Sequence, residues 1–203
     1  MEYLEVLKKD KLLATIIKEP LKLNKQENDL YLQLLKVIAG QQLSTKAAAT
    51  IWLRFENLFN SHYPDAIQLL TFHDSQLRAV GFSYQKVGYL KNIANFHLQN
   101  NLNSLQTKRM QTEKLIEYLT QIKGVGTWTV EMVLMFSLNK KDIFPVDDLG
   151  IQNAMKMIYK LPESKKEMKN TMLFIAQKWR PFRTYACFYL WQYKDIKPIL
   201  NKH

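Results

Sequence analysis

The chain has 203 residues, of which 47% are hydrophobic, and this excludes an intrinsically disordered polypeptide. Its 29 lysines and arginines outnumber 18 aspartates and glutamates, and the net charge of +11 favours a polyanionic partner, either nucleic acid or an anionic membrane surface. The single cysteine, Cys187, excludes disulfide frameworks and cysteine-ligated iron–sulfur clusters, and its aromatic surroundings predict a buried, inert thiol.

Apolar residues recur at helical spacing along most of the chain, so the sequence predicts an all-α fold. Ser44 and Ser83 are predicted N-caps, and residues 100–107 are predicted to form a polar linker. No signal peptide or long apolar run is present, which indicates a soluble, intracellular protein. The predicted helices cover residues 30–39, 44–59, 65–71, 74–80, 83–100, 112–121, 127–138, 149–159, 164–179 and, after Pro181, a last helix to about 193.

A glycine turn joins two of these predicted helices. Gly124 and Gly126 flank the apolar Val125, and Thr127 follows as a candidate helix N-cap. Such a turn leaves backbone N–H groups unpaired at the positive end of a helix, where they suit a phosphate. The same pattern also makes ordinary turns between helices, so the turn alone leaves both interpretations open.

A pair of acids follows further along the chain, in the turn Pro145-Val146-Asp147-Asp148. One of the two aspartates is predicted to cap the helix that begins near Leu149. The other is then available for chemistry.

Four segments together resemble the helix-hairpin-helix-GPD superfamily of DNA glycosylases, and most of all its bacterial 3-methyladenine DNA glycosylase II branch. The glycine turn resembles the family's hairpin, and the acid pair resembles its catalytic turn. A third segment is similar to the loop that probes DNA, and a fourth to the C-terminal helix. These segments cover residues 122–129, 144–151, 37–44 and 179–186 running on to Trp191.

The resemblance implies two helical lobes with a cleft between them. Residues 28–142 would form the central lobe, with the helix-hairpin-helix at about 111–138. Residues 1–27 and 143–203 would form the second lobe. The chain resembles a compact version of the family, without the extra N-terminal β-rich domain of its longest members.

The resemblance also assigns the catalytic and phosphate-binding roles. Asp148 takes the place of the catalytic acid, and Asp147 becomes the cap or a helper. The hairpin would grip a DNA phosphate through a lysine and three backbone N–H groups, namely Lys123, Gly124, Gly126 and Thr127.

By position, Gln42 matches the residue that fills the gap left by an extruded base. Leu43 is the alternative, because apolar side chains often serve as wedges, and a plain turn between helices is the third interpretation. Trp128, Trp191 and Met132 match positions that line the base pocket, where tryptophan suits a positively charged alkylated purine. Packing in the core is the alternative for both tryptophans.

The family's hairpin often holds a sodium or potassium ion through backbone carbonyls, here those of Thr120, Ile122 and Val125. No other cofactor and no iron–sulfur cluster is implied. Trp128 stands where bifunctional members carry a lysine nucleophile, so the resemblance implies a monofunctional enzyme. The implied partner is double-stranded DNA containing damaged bases, bound by a monomer in the cytoplasm of a bacterial-type cell, near the nucleoid.

Two other functions stay open at this point: a glycosylase for a different damaged base, and a non-catalytic helix-hairpin-helix module that binds DNA. Arg180 and Arg183 are predicted to pair with carboxylates rather than to touch DNA. The four histidines share no metal-ligand spacing and receive no role: His62, His73, His97 and His203.

Overall fold

The computed structural model describes residues 1–21 and 29–200, without the side chains of residues 45, 108 and 194–200. Within these ranges the chain forms α-helices and one short 3-10 turn, with no β-strand, so the all-α prediction is confirmed. None of the described helices is long and apolar enough to cross a bilayer.

The described residues fall into two compact units. The central unit lies within Gln26–Leu138, and the terminal unit combines Met1–Lys25 with Asn139–His203. The terminal unit contains α1 (Glu2–Leu7), α2 (Lys11–Ala14), α11 (Leu149–Ile158), α12 (Lys165–Ala176), the 3-10 turn Gln177–Trp179 and α13 (Arg183–Leu200). The central unit contains α3 (Leu30–Gly40), α4 (Thr45–Glu56), α5 (Ala66–Thr71), α6 (Asp74–Ala79), α7 (Tyr84–Asn100), α8 (Leu105–Arg109), α9 (Thr112–Leu119) and α10 (Thr127–Phe136).

Helix α3 lies at the centre of its unit because its sequence is apolar on nearly every side. It packs against α4, α7 and α10, and Leu34, Leu35 and Ile38 are fully buried. Its C-terminal end at Gly40 therefore emerges from the core beside α7 and α10, which are the two helices that support the loop following α3.

The terminal unit is organised around a buried carboxylate. Asp10 accepts hydrogen bonds from the Tyr159 hydroxyl at 2.8 Å and the Trp179 indole at 3.0 Å, and it caps α2. Tyr159 ends α11 and Trp179 lies in the 3-10 turn, so these buried hydrogen bonds to Asp10 hold the N-terminal segment against both elements. Helix α11 also packs along α13, and this contact positions the candidate catalytic acid.

Several predicted boundaries are confirmed and others are corrected. Ser44 and Ser83 cap their helices by accepting from backbone N–H groups, both at 3.3 Å. The predicted linker 100–107 was wrong in its second half, because Ser104 caps α8 through the N–H of Thr107. The predicted helix 164–179 divides into α12 and the 3-10 turn, and the last helix continues past residue 193 to Leu200. His203 lies outside the described residues.

Candidate active site

Asp148 is the N-cap of α11, and its carboxylate has a fixed orientation. Its Oδ1 atom accepts one hydrogen bond from the Ile151 N–H and one from the Trp191 indole N–H, each at 2.8 Å. The side chain is half-buried at the positive end of a helix, an environment that favours negative charge. The structure therefore brings together Asp148 and Trp191, two residues that the sequence assigned to the site.

The resemblance implied Asp147 as the cap of this helix or as a helper, and the cap assignment was wrong, because Asp148 itself caps the helix. The reason is register: α11 begins at Leu149, so the side chain that reaches the N–H of Ile151 belongs to Asp148. Asp147 is exposed and forms an ion pair with Lys169. The catalytic role of Asp148 stays a prediction.

Gly150 belongs to the site, and sequence reasoning missed its role. A Cβ atom at this position would lie 2.8 Å from Cδ1 and 2.9 Å from Nε1 of Trp191, and 3.0 Å from Oδ1 of Asp148. These distances are too short for any side chain, so only glycine lets the indole reach the carboxylate. A glycine in the first turn of a helix, where alanine is more stable by about 1 kcal/mol, was the available signal.

The turn before Asp148 is held by two hydrogen bonds. The Gln152 side-chain amide donates to the carbonyl of Val146 at 2.8 Å, and the N–H of Asp148 donates to the carbonyl of Pro145 at 3.0 Å. Gln152 is a second supporting residue that the sequence did not reveal, because nothing in its local pattern distinguishes it from an ordinary helix residue.

Asp142 anchors the chain just before this turn. It accepts from Nε of Arg183 at 2.7 Å and from Nε of Arg180 at 3.0 Å, which confirms that these arginines pair with a carboxylate. Burial alone would raise the pKa of Asp142, but the hydrogen bonds and charge of Arg183, with help from Arg180, outweigh it and hold the pKa below its ordinary value.

The hairpin lies in the central unit, between α9 and α10. Gly124 adopts a φ of +101°, and the ring of Tyr89 lies so close that a Cβ would be 2.1 Å from its Cδ1 atom. The N–H of Val125 donates to the carbonyl of Ile122 at 2.9 Å, and both side chains are buried. Gly124 is therefore required both by the turn and by the packed aromatic ring.

Thr127 is not the cap of α10. Gly126 occupies the N-cap position with extended backbone and no side-chain cap, and Thr127 is the first helical residue. The first N–H groups of any helix have no carbonyl partner within that helix, and Gly126 supplies no side-chain cap here. Lys123 is exposed beside them. The N-cap assignment to Thr127 was wrong, and phosphate binding at this end of α10 stays a prediction.

The loop after α3, residues Gly40–Leu43, carries both candidate wedge residues, and we call it the wedge loop. Gln42 is exposed and adopts a φ of +58°, and Leu43 is 37% exposed. The Gln41 side-chain amide donates to Oγ1 of Thr129 on α10 at 3.0 Å. The ammonium of Lys86 on α7 donates to the carbonyls of Ala39 at 2.9 Å and Gln41 at 2.7 Å.

The pocket candidates are divided between the two units. Trp128 and Met132 lie four residues apart on α10 and so share one face of that helix. Trp128 is half-buried and Met132 is buried. Trp191 lies on α13 of the terminal unit. The contribution of these three side chains to a base pocket stays a prediction.

The described residues contain no group of three or more histidine, cysteine, aspartate or glutamate side chains placed to hold a metal ion. Cys187 is fully buried, as its surroundings predicted.

Comparison with known proteins places the chain in a family. Residues 35–181 match the profile described as HhH-GPD superfamily base excision DNA repair protein. DNA-3-methyladenine glycosylase 1 of Schizosaccharomyces pombe is 38% identical over 183 residues, which cover 87% of this chain and 79% of that protein. Putative DNA-3-methyladenine glycosylase YfjP of Bacillus subtilis is 33% identical over 171 residues, which cover 80% of this chain and 58% of YfjP.

Among solved structures, 3-methyladenine DNA glycosylase of S. pombe in complex with abasic DNA superposes with a TM-score of 0.83. The sequence identity in that comparison is 35%, and the match covers 95% of this chain and 96% of the other. The resemblance seen in the sequence is confirmed, and the chain belongs to the HhH-GPD superfamily of base excision DNA repair proteins.

Proposed function

We propose that the protein excises alkylated purines of the 3-methyladenine type from double-stranded DNA and leaves an abasic site. The observation that carries this proposal is the carboxylate of Asp148, which two hydrogen bonds hold at the start of α11. The named relatives support the substrate class, since both are DNA-3-methyladenine glycosylases by name. Abasic DNA, which is bound in the S. pombe structure, is the product expected of this reaction.

The chemistry requires a carboxylate but little acid catalysis. Cleavage of the bond between the sugar C1′ and the base nitrogen leaves positive charge on the sugar, and Asp148 would stabilise that charge. The bond electrons pass to the alkylated purine, which already carries positive charge and therefore leaves as a neutral base. Water then adds to C1′ and releases one proton, which completes the abasic site.

The orientation of the carboxylate is the contribution of its neighbours. The indole of Trp191 and the N–H of Ile151 both bind Oδ1, so the carboxylate cannot rotate freely. A charge held in place before the reaction stabilises a developing cation more effectively than one that must reorient. Trp191 would therefore serve the reaction by orienting Asp148, in addition to any contact of its ring with the base.

The protein binds DNA, and we assign the main contacts to the central unit. A base within a duplex must be extruded before its sugar bond can be attacked. The uncapped start of α10 and Lys123 would hold a phosphate. Gln42, with Leu43 as the alternative, would occupy the space left by the extruded base.

The enzyme is a monofunctional hydrolase. A lyase step requires an amine that forms a Schiff base with the sugar, and the position after the hairpin holds Trp128 instead. The only product expected from DNA is an intact strand with an abasic site. A sodium borohydride trap is expected to give no covalent adduct.

A monovalent cation at the hairpin forms part of the proposal. Neutral carbonyl oxygens are suitable ligands for sodium or potassium, and those of Thr120, Ile122 and Val125 belong to the segment between α9 and α10. The Ile122 carbonyl already accepts the N–H of Val125, and its second lone pair would serve the cation. Replacing potassium with a bulky organic cation is expected to weaken DNA binding if the ion helps to hold the hairpin.

The function is tested by incubating the protein with duplex DNA that carries methylated purines. The released bases are separated by chromatography, and the DNA strand is checked before and after alkali. We expect free 3-methyladenine and a strand that breaks only after alkali treatment. If only a different damaged base were released, the proposed substrate class would be wrong. Strand cleavage without alkali would contradict the monofunctional assignment.

A further inference from the structure

Helix α7 contacts both elements of the central unit that are proposed to bind DNA, the wedge loop and the hairpin. Lys86, Tyr89 and Asn92 are spaced three residues apart and therefore follow one side of the helix. Lys86 donates to one carbonyl in the last turn of α3 and to the Gln41 carbonyl in the wedge loop. The Tyr89 ring lies against Gly124, and the Asn92 amide donates to the Lys123 carbonyl at 3.0 Å. One rigid element thus supports the wedge loop and the hairpin.

Lys86 joins two main-chain segments through hydrogen bonds from its ammonium group. Both of its acceptors are main-chain carbonyls, at the last turn of α3 and in the loop that follows. A cation at a helix C-terminus is favoured by the helix dipole. The side chain is half-buried, and burial lowers the pKa of its ammonium group. Burial carries a desolvation cost, and the two short hydrogen bonds offset it.

The wedge loop needs such support. Gln42 has a φ of +58°, a conformation that residues other than glycine rarely adopt. Strained backbone of this kind persists when neighbouring contacts hold it, and it occurs often at functional sites. The residue directly before it, Gln41, is held twice: its carbonyl by Lys86 and its side chain by Thr129.

We propose that Lys86 is a positioning residue for base extrusion. It holds the wedge loop in the conformation that enters the DNA and, through α7, in a fixed position relative to the hairpin. This inference rests on the proposed function. It assigns Lys86 no contact with DNA or with the reacting atoms.

The test compares Lys86→Met and Lys86→Arg with the wild type. Methionine keeps much of the length and apolar volume of the lysine stem but cannot donate, whereas arginine retains charge and donors. The control is Lys91→Met, which removes a cation from the same helix where it pairs with the exposed Asp74. Four quantities are measured: single-turnover base release, fluorescence of 2-aminopurine opposite the extruded base, the salt dependence of the DNA dissociation constant, and the melting temperature.

For Lys86→Met we expect base release to slow by about 10- to 100-fold, the size of a lost charge-assisted hydrogen bond. The fluorescence rise should fall in parallel, and Lys86→Arg should restore at least part of both. The slope of log DNA affinity against log salt concentration should equal that of the wild type. Lys91→Met should match the wild type in release and fluorescence.

Three results would overturn the proposal. Lys86→Met could extrude and release bases at the wild-type rate. The slope of its log DNA affinity against log salt concentration could fall in magnitude by about one, which would show that Lys86 contacts a phosphate directly. Its losses could also merely follow a lower melting temperature without rescue by arginine, which would show a purely structural role. The fluorescence readout does not need chemistry, so a wild type that extrudes bases but releases none would refute the proposed function and leave Lys86 testable.

Discussion

Gly150→Ala is the substitution for which the structure gives the sharpest expectation. The added methyl group would lie within 3.0 Å of the Trp191 indole and of the Asp148 carboxylate. Aromatic rings do not yield as the end of a flexible side chain does, so we expect the indole to move away and its hydrogen bond to Asp148 to break. The carboxylate would keep its cap to Ile151 but lose its second donor.

The magnitude follows from the lost bond and from two opposing effects on stability. A hydrogen bond to a charged group contributes about 1.5–3 kcal/mol, which corresponds to a roughly 10- to 100-fold slower reaction. Overpacking costs about 1–3 kcal/mol, whereas replacing a helical glycine with alanine gains about 1 kcal/mol. The net loss in the free energy of unfolding is therefore about 0–2 kcal/mol, while activity falls strongly.

The assay is single-turnover base release at saturating enzyme, beside thermal unfolding of the same preparation. Gly88→Ala is the control, because it also places alanine in a helix and its Cβ would meet nothing within 4 Å. We expect this control to retain activity and to gain up to about 1 kcal/mol. Gly150→Ala with wild-type activity and a wild-type melting temperature would refute the role given to the indole.

Two further substitutions have defined outcomes. Gly124→Ala should weaken DNA binding by at least about tenfold and cost about 2–4 kcal/mol, because φ is +101° and the ring of Tyr89 blocks a Cβ. Equal effects from Gly88→Ala, whose Cβ would meet nothing within 4 Å, would contradict this. Asp142→Asn should lower the free energy of unfolding at pH 7 by about 2 kcal/mol, allowing for partial exposure. The pKa of Asp142 in the folded protein lies below its ordinary value of 3.8, so the difference in the free energy of unfolding should be fully present above that pH. Urea titrations should show the difference disappear as the pH falls through the folded pKa. A difference that did not change with pH would exclude the ion pair with Arg183 as its cause.

The sequence predicted the elements with local signals and missed those that depend on distant contacts. Most helices follow from apolar spacing, and the caps Ser44 and Ser83 from local chemistry. Local rules could not decide between Asp147 and Asp148, because either acid satisfies the cap pattern and only the register of α11 separates them.

Lys86 and Gln41 illustrate what no local pattern reveals. Lys86 is one of 29 lysines and arginines, and its acceptors lie more than 40 residues earlier in the chain. The partner of Gln41, Thr129, lies 88 residues away. Contacts at such separations depend on how α3, α7 and α10 pack, and this packing is a property of the folded unit.

The measurement that tests the central claim most directly is single-turnover release of 3-methyladenine by Asp148→Asn beside Asp147→Asn. Asparagine can still accept from the N–H of Ile151 and the Trp191 indole, so the fold and cap should survive without the charge. We expect Asp148→Asn to bind DNA and release base at least about 100-fold more slowly, while Asp147→Asn stays near the wild type. Undiminished release by Asp148→Asn would contradict the assignment of this carboxylate as the catalyst.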